Sequence, residues 1–515
     1  MKQLQNKIQL ITYPDSLGGD LKSLYEILKD DFSGVIGGVH ILPFYPSSSD
    51  RGFSPLTHFE VDPKFGDWED VKKIGQEFDL MVDFMVNHIS SQSDIFQDYL
   101  KKGRDSKYKN WFISAEKFSR RIKLNKKLYP RLVRLLERAA DNLRAWDIVF
   151  HKGGVNRLTL GKIYRPRPGS PFIKFELKDG RGKSLWCTFS SDQVDLDIKN
   201  KEVIKYFREI IKFLAEQGAN LLRLDAVGYV AKERDTRSFM IPQTLSFIRW
   251  ISAVSHQAGM KSLPEVHSHY TDQFKLAKIK GVDYIYDFAL PMLVLDAIHS
   301  KNTQSLKRWI KIRPENQITT LDTHDGLPVP DVEDLINEKE RDYLVNLIKS
   351  FGGNEALRAS GYNSSNVDIY QLNCTYYSAL GENDNAYIAA RAIQFFVPGI
   401  PQVYYVGLLA GENDTELLEE TGIGRDINRH FYSKQDVKRE SQRRVVKRLF
   451  WLARFRNSYP AFDGKFKLEK SSEKKLRLFW SKGEYYCRLK VNLRRKVSKV
   501  IYWDREKGEE VEREL

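Results

Sequence analysis

Asp225 in LLRLDAVGYV, Glu265 in KSLPEVHSHY and Asp325 in TTLDTHDGLPV each end a short apolar run in this 515-residue chain. Carboxylates are seldom buried unless they are paired or put to use. Such a set suits cleavage of a glycosidic bond. The oxocarbenium-like transition state needs an acid for the leaving oxygen and a carboxylate beneath the anomeric carbon, about 5 Å apart when configuration is retained. Asp225 and Glu265 close consecutive runs, so they are expected as nucleophile and acid/base. Arg223 stands two residues before Asp225, on the same face of a strand, and is expected to keep it ionised. Asp325, beside His324, would stabilise charge on the distorted sugar and grip its hydroxyls.

The elements that must position these groups can be counted. KIQLITY, GGVHILP, DLMVDFMVNH, NLLRLDAV, MKSLPEV, DYIYDFAL, ITTLDTHD and IPQVYYVG read as buried strands, with amphipathic helices between most of them. NKEVIKYFREIIKFLAEQG is one such helix, ending at a glycine suited to a C-cap. Eight alternations predict an α/β fold, a (β/α)8 TIM barrel whose strand ends carry catalysis. Two gaps are too long for simple crossovers, so inserted subdomains are expected after strands 3 and 7. The final stretch alternates with a period of two and predicts a small C-terminal antiparallel β domain. The expected division is a barrel of residues 1–88, 198–325 and 382–455, and an inserted domain B of 89–197. An inserted lid of 326–381 and a C-terminal β domain of 456–515 complete it.

Composition narrows the class. Aromatic residues make up 12%, with 25 Tyr and 9 Trp, which suits a packed core and argues against disorder. Cys187, Cys374 and Cys487 are odd in number and unpatterned, as in a reducing compartment. The N-terminus lacks an apolar signal segment and no run is long enough to span a bilayer; a cytoplasmic protein without membrane contact is expected. The net charge of +15 raises nucleic acid as a partner. However, the densest basic stretch, 117–144, has Leu128, Leu132, Leu135 and Leu136 at helical spacing, so its arginines read as a solvated face. No nucleic-acid partner is expected.

DFMVNH, RLDAV, PEVH and LDTHD resemble the four signature regions of the α-amylase clan, glycoside hydrolase family 13. HILPFYPSSSDRGFSPLTH, KIYRPRPG, RLDAVGYVAKE, NVDIYQLNCTYYSALG, GIPQVYYVGLLAGENDTELL and GRDINRHFYS are similar to the sucrose phosphorylase subfamily. The resemblance runs from residue 7 to about 460. It implies a hexosyltransferase that uses inorganic phosphate as co-substrate and no cofactor. Asp225 is then the nucleophile of a double displacement, Glu265 the acid/base and Asp325 the transition-state stabiliser. Asp50, His88, Arg223, His324 and Arg425 match positions that hold the glucosyl ring. Asp368, Ile369, Tyr370 and Gln371, in VDIYQ, match a loop lining the acceptor site. Tyr370 and Arg167, in YRPRPG, match residues that meet phosphate, where a guanidinium makes paired charge-assisted hydrogen bonds. The implied partners are small sugars and phosphate, with the chain a monomer or homodimer.

The resemblance also has departures. After Asp325 this chain reads Gly326-Leu327-Pro328-Val329, where sucrose phosphorylases usually read GIGV. A proline there resembles relatives acting on sucrose 6'-phosphate, and changes at this spot occur in glucosylglycerol phosphorylases. Sucrose leads as donor, with those glucosides as alternatives. An α-glucoside hydrolase or transglucosidase and a non-enzymatic basic binding protein are further alternatives. Phe53, Tyr164 and Tyr229 are candidates for a sugar platform or for core. Asn87 matches a calcium-binding position of many amylases, but no acidic cluster follows it, so a hydrogen-bonding role is expected. His267 and His269 lack an evident third ligand, and no metal is expected.

Overall fold

Each of the eight apolar runs forms a strand: β1 (Gln9–Thr12), β2 (Gly38–Ile41), β3 (Asp79–Met85), β4 (Leu221–Asp225), β5 (Lys261–Pro264), β6 (Ile285–Asp287), β7 (Gln317–Thr319) and β8 (Ile400–Tyr404). The computed structural model describes residues 4–118, 120–122, 148–151, 154–157, 163–166, 170–359, 367–495 and 497–515. All neighbouring pairs are parallel, in the order β5-β4-β3-β2-β1-β8-β7-β6. Tyr284 N–H donates to Ser262 C=O at 3.2 Å, joining the lead-in of β6 to β5 and closing the barrel. Strands buried on both faces read as continuous apolar runs rather than as alternation, which is why they stand out in the sequence.

The helices between strands are amphipathic. In Lys201–Glu216, Val203, Phe207, Ile210, Ile211 and Leu214 face the barrel, and Asn200 caps the first turn by accepting from Glu202 N–H at 2.8 Å. Gly218 ends the helix with φ +93°, a conformation that favours glycine. β4 follows directly, so this helix sets where Asp225 emerges. Among the described residues, no helix is long and apolar enough to cross a membrane.

The chain leaves the barrel after β3 and returns beside its exit, because His88–Ser90 pairs antiparallel with Gln193–Asp195. The excursion between them includes the hairpin Phe172–Glu176/Gly182–Trp186 and a three-stranded sheet of Arg120–Ile122, Gly154–Arg157 and Ile148–His151. Of the basic segment 117–144, only residues 117, 118 and 120–122 are described. The helix expected around Leu128, Leu132, Leu135 and Leu136 lies outside the described residues. After β7 a second excursion carries helix Glu338–Ser350 and a small antiparallel sheet. There Leu327–Pro328 pairs with Val367–Asn373, which pairs with Asn354–Ala359. The C-terminal five-stranded antiparallel sheet docks on a barrel helix, with Trp480 Nε1–H donating to Phe396 C=O at 2.7 Å.

Candidate active site

Register places the two central carboxylates side by side. Leu224 of β4 is paired with Pro264 of β5, so Asp225 and Glu265 occupy the next positions on neighbouring strand ends, about 4.8 Å apart by strand spacing. Ala226 adopts φ +51° directly after Asp225, an uncommon backbone state that active sites tend to hold. This turn lets Ala226 N–H donate to Glu265 Oε2 at 3.0 Å.

Arg223 is the hub. Its side chain is 3% exposed, and its guanidinium bonds Asp83, meets Asp225 Oδ1 at 2.9 Å and lies 3.9 Å from Glu265 Oε1. Asp83 is the register partner of Arg223 on β3 and also accepts from His40 at 2.7 Å. Burial would raise the Asp83 carboxyl, but Arg223 and His40 pull it down to about 2. Asp225 behaves oppositely. Burial lifts its carboxyl well above the usual carboxylate range, and Glu265, Asp83 and Asp325 add to this against the pull of Arg223. Arg223 pulls Asp225 toward the ionised form, as expected, but burial and the neighbouring carboxylates work against that pull. One guanidinium shared among three carboxylates does not offset the desolvation of this one, and the direction belongs to the buried set as a whole.

Asp325 departs from its expected placement. β7 stops at Thr319, and Asp325 lies beyond it in a loop. Asp322 anchors that loop through an ion pair with buried Arg391, while Thr323 Oγ1 accepts from Asp325 N–H at 3.1 Å. Burial alone would raise Asp325, yet Arg425 at 2.9 Å, with His324, His267 and Arg223, holds it far below the ordinary range. His324 and His88 are both pushed down by burial, toward neutral imidazoles. His88 Nε2 lies 2.8 Å from Phe53 C=O, which fixes the proton on that nitrogen.

These groups line one cavity, which takes in Asp50, Phe53, His88, Asp225, Tyr229, Glu265, His267, His324, Asp325, Tyr370, Gln371 and Arg425. Arg223 sits beneath it. Phe53 stacks on His324 at 4.9 Å, and Tyr164 instead packs on Phe239 at 4.3 Å; Phe53 and Tyr229 face the cavity and Tyr164 packs beside Tyr229. Tyr370 and Gln371 reach it from strand Val367–Asn373, and Ile369 packs on the core. Asp368 lies on the same strand, its side chain outside the described residues, as is Arg167. Pro166, of the KIYRPRPG motif, enters the cavity from the first excursion together with Phe189 and Gln193, and the latter two were not marked by any motif. Asp83 was legible as an acidic residue within a strand facing Arg223.

Glu265, His267 and Asp325 bring donor atoms within 4.8 Å of one another. Arg223 lies 3.9 Å from Glu265 and Arg425 2.9 Å from Asp325, so both carboxylates of this group already face a guanidinium. His269 turns away, toward Asp334 at 3.2 Å. Asn87 accepts from buried Lys232 at 2.7 Å, and Lys232 also pairs with Asp195 at 2.5 Å and donates to Tyr229 C=O. An ammonium thus fills the oxygen cage at Asn87.

Residues 19–325 match the family model described as the alpha amylase catalytic domain. The chain is 42% identical over 508 residues to a glucosylglycerol phosphorylase of Marinobacter adhaerens, covering 98% of both chains. It is 42% identical over 471 residues to a sucrose phosphorylase of Streptococcus mutans, covering 91% of both. The crystal structure of sucrose 6F-phosphate phosphorylase from Thermoanaerobacter thermosaccharolyticum superposes with a TM-score of 0.89 at 42% identity, covering 100% of this chain and 99% of that one. This chain belongs to the α-amylase family and, within it, to the glycoside phosphorylases.

Proposed function

We propose that the donor is sucrose and that the chain converts sucrose and phosphate to α-D-glucose 1-phosphate and D-fructose by double displacement. The observation that carries this reading is the register of Asp225 and Glu265 on adjacent strand ends over one guanidinium. That spacing suits the short separation of retaining enzymes. Asp225 attacks C1 as Glu265 gives its proton to the glycosidic oxygen, and fructose departs from a β-glucosyl–Asp225 ester. A phosphate oxygen then attacks C1 from the opposite face while Glu265 takes a proton back, so configuration is retained overall. The raised Asp225 carboxyl is a ground-state cost that positive charge developing at C1 relieves. Asp325, held ionised by Arg425, stabilises that charge and grips hydroxyls with Asp50, His88, His324 and Arg425. Arg167, Tyr370 and Asp368 direct phosphate and acceptor. No cofactor or metal is assigned a role. Three buried, unpaired thiols support a reducing compartment, the cytoplasm.

Glucose 1-phosphate is expected from sucrose only when phosphate is supplied. Equal sugar release with and without phosphate would replace this reading by hydrolysis or transglucosylation. A second reading has its own observation: Pro328 pairs with Gln371, a residue of the cavity wall, so its loop shapes the acceptor side. A phosphorylated or glycerol-based leaving group is the alternative there. Comparing kcat/KM for sucrose, sucrose 6'-phosphate and glucosylglycerol decides between them; a clear preference for sucrose removes the second.

A further inference from the structure

His267 stands between three carboxylates. Its Nε2 lies 3.1 Å from Glu265 Oε1 and 3.8 Å from Asp325 Oδ2, while its Nδ1 faces Asp331 Oδ2 at 3.9 Å. Phe288 stacks on the ring at 3.9 Å and 24°, and Tyr370 meets its edge at 6.0 Å, so the plane is fixed. Asp331 belongs to the short 3-10 segment Pro330–Val332 and is fully buried. Neither of its carboxylate oxygens has a hydrogen-bond partner, and His267 Nδ1 has none either. Among the described residues, His267 is the only cationic side chain within 4.0 Å of Asp331. Burial of a carboxylate is costly and pushes the Asp331 carboxyl up; the His267 ring and the Ser268 backbone work against that push, and the imidazole is the side chain among them. The distance is that of an ion pair rather than a hydrogen bond.

We propose that Asp331 is a positioning residue: its carboxylate holds His267 as an imidazolium against Glu265, and thereby promotes proton transfer from Glu265 to the leaving group. As the C1–O bond breaks and the C1–Asp225 bond forms, the Glu265 proton moves to the departing oxygen. The carboxylate left on Glu265 then faces the imidazolium 3.1 Å away. Stabilisation that appears only as this proton leaves lowers the barrier and not merely the ground state. Burial works against a charged His267, but Asp331, Glu265 and Asp325 outweigh it and the ring's proton is held more tightly than usual. Arg425 sits on Asp325 and Arg223 near Glu265; they face the carboxylates rather than the ring. The segment also links two functions. Leu327–Pro328, just before Asp331, is hydrogen-bonded to Leu372 and Gln371 of the acceptor strand, so a shift of that strand reaches the acid through Asp331 and His267.

This inference rests on the proposed phosphorolysis, and two donors separate their failures. Sucrose needs an acid for its leaving oxygen; α-D-glucosyl fluoride, whose fluoride is a weak base, does not. Glucose 1-phosphate formation from each donor with phosphate is measured across pH for the full chain. Asp331→Asn is expected to lower kcat/KM for sucrose by about 10- to 100-fold and for the fluoride by less than about threefold. The alkaline limb for sucrose should move to lower pH, because His267 then loses its proton sooner. His267→Gln should lower kcat/KM with both donors but more for sucrose than for the fluoride, and adding Asp331→Asn to it should cost little more. Equal losses with both donors and an unmoved pH limb would reduce Asp331 to a structural residue and overturn the inference, as would full activity in Asp331→Asn. A parent enzyme that makes no glucose 1-phosphate from the fluoride and phosphate would overturn the proposed function itself.

Discussion

Two buried cations sit near the ends of β3 and β4, and they are treated differently. Lys232 is enclosed by Asn87, Asp195 and the Tyr229 carbonyl, with a single ionic partner. Arg223 faces Asp83, Asp225 and Glu265, three carboxylates for one positive charge. The lysine cage is balanced, and it joins β3 and the returning strand Gln193–Asp195 to the segment after β4. The arginine cluster has excess negative charge, and the imbalance shows in its members. Asp83 is held low by Arg223 and His40 despite burial, whereas burial leaves Asp225 raised. A junction is best served by saturated groups, while a nucleophile is held where it gains from positive charge arriving on its substrate.

The comparison breaks first at Asp225. Asp225→Asn should lower the rate of glucose 1-phosphate formation by at least about 10⁴-fold, since no covalent ester can form. It should also melt about 2–4 °C higher at pH 7. The sign follows from linkage: a carboxyl raised in the folded state loses stability as pH climbs from its unfolded value through its folded one. The gain should therefore fade near pH 4. Melting curves of parent and variant at both pH values test this, and a variant that melts lower at pH 7 would show that Asp225 stabilises the fold instead of burdening it.

The same contrast explains what could be foreseen. All eight strands announce themselves as apolar runs, because parallel strands are buried on both faces, and Asp225 and Glu265 sit at the ends of two of them. Asp325 was recognisable as a residue but not as a loop residue. Its placement depends on Asp322 meeting Arg391, 69 positions away, and no local pattern reports such a contact. Asp331 was missed because an acidic residue after two prolines reads as a turn, and only the fold brings it to His267. The pull of Arg223 on Asp225 was foreseen; its division among three carboxylates became visible when register set Asp83 opposite it.

The lysine cage yields the next effect. Lys232→Met removes the cation and leaves Asp195, which is fully buried, without its ion pair but still accepting from the Thr188 backbone N–H and hydroxyl. Breaking a buried pair from one side costs about 3–5 kcal/mol, so denaturant unfolding should begin earlier. Activity per folded molecule should stay within about tenfold of the parent, far less than the loss at Asp225. Adding Asp195→Asn should recover part of the stability, because the charge left behind is what costs most. If the double variant is less stable than the single one, Asp195 is held by its other bonds and the cage is not its balance.

The smallest effect is the most discriminating. Asn87→Asp gives the lysine cage the extra carboxylate that the arginine cluster already has. Asn87 is fully buried, its Oδ1 accepts from Lys232, and its Nδ2 lies 3.4 Å from His88 Nδ1. Because His88 Nε2 faces the Phe53 carbonyl, its Nδ1 is an acceptor, and an aspartate oxygen there would oppose it. A cost of about 1–3 kcal/mol at pH 7 is expected, shrinking as acid protonates the new carboxyl and restores a donor. Urea unfolding at pH 7 and pH 5 measures it. A variant as stable as its parent at pH 7 would mean that this face of the barrel tolerates excess negative charge anywhere. The charge around Arg223 would then be a general property of the barrel mouth and not a feature of catalysis.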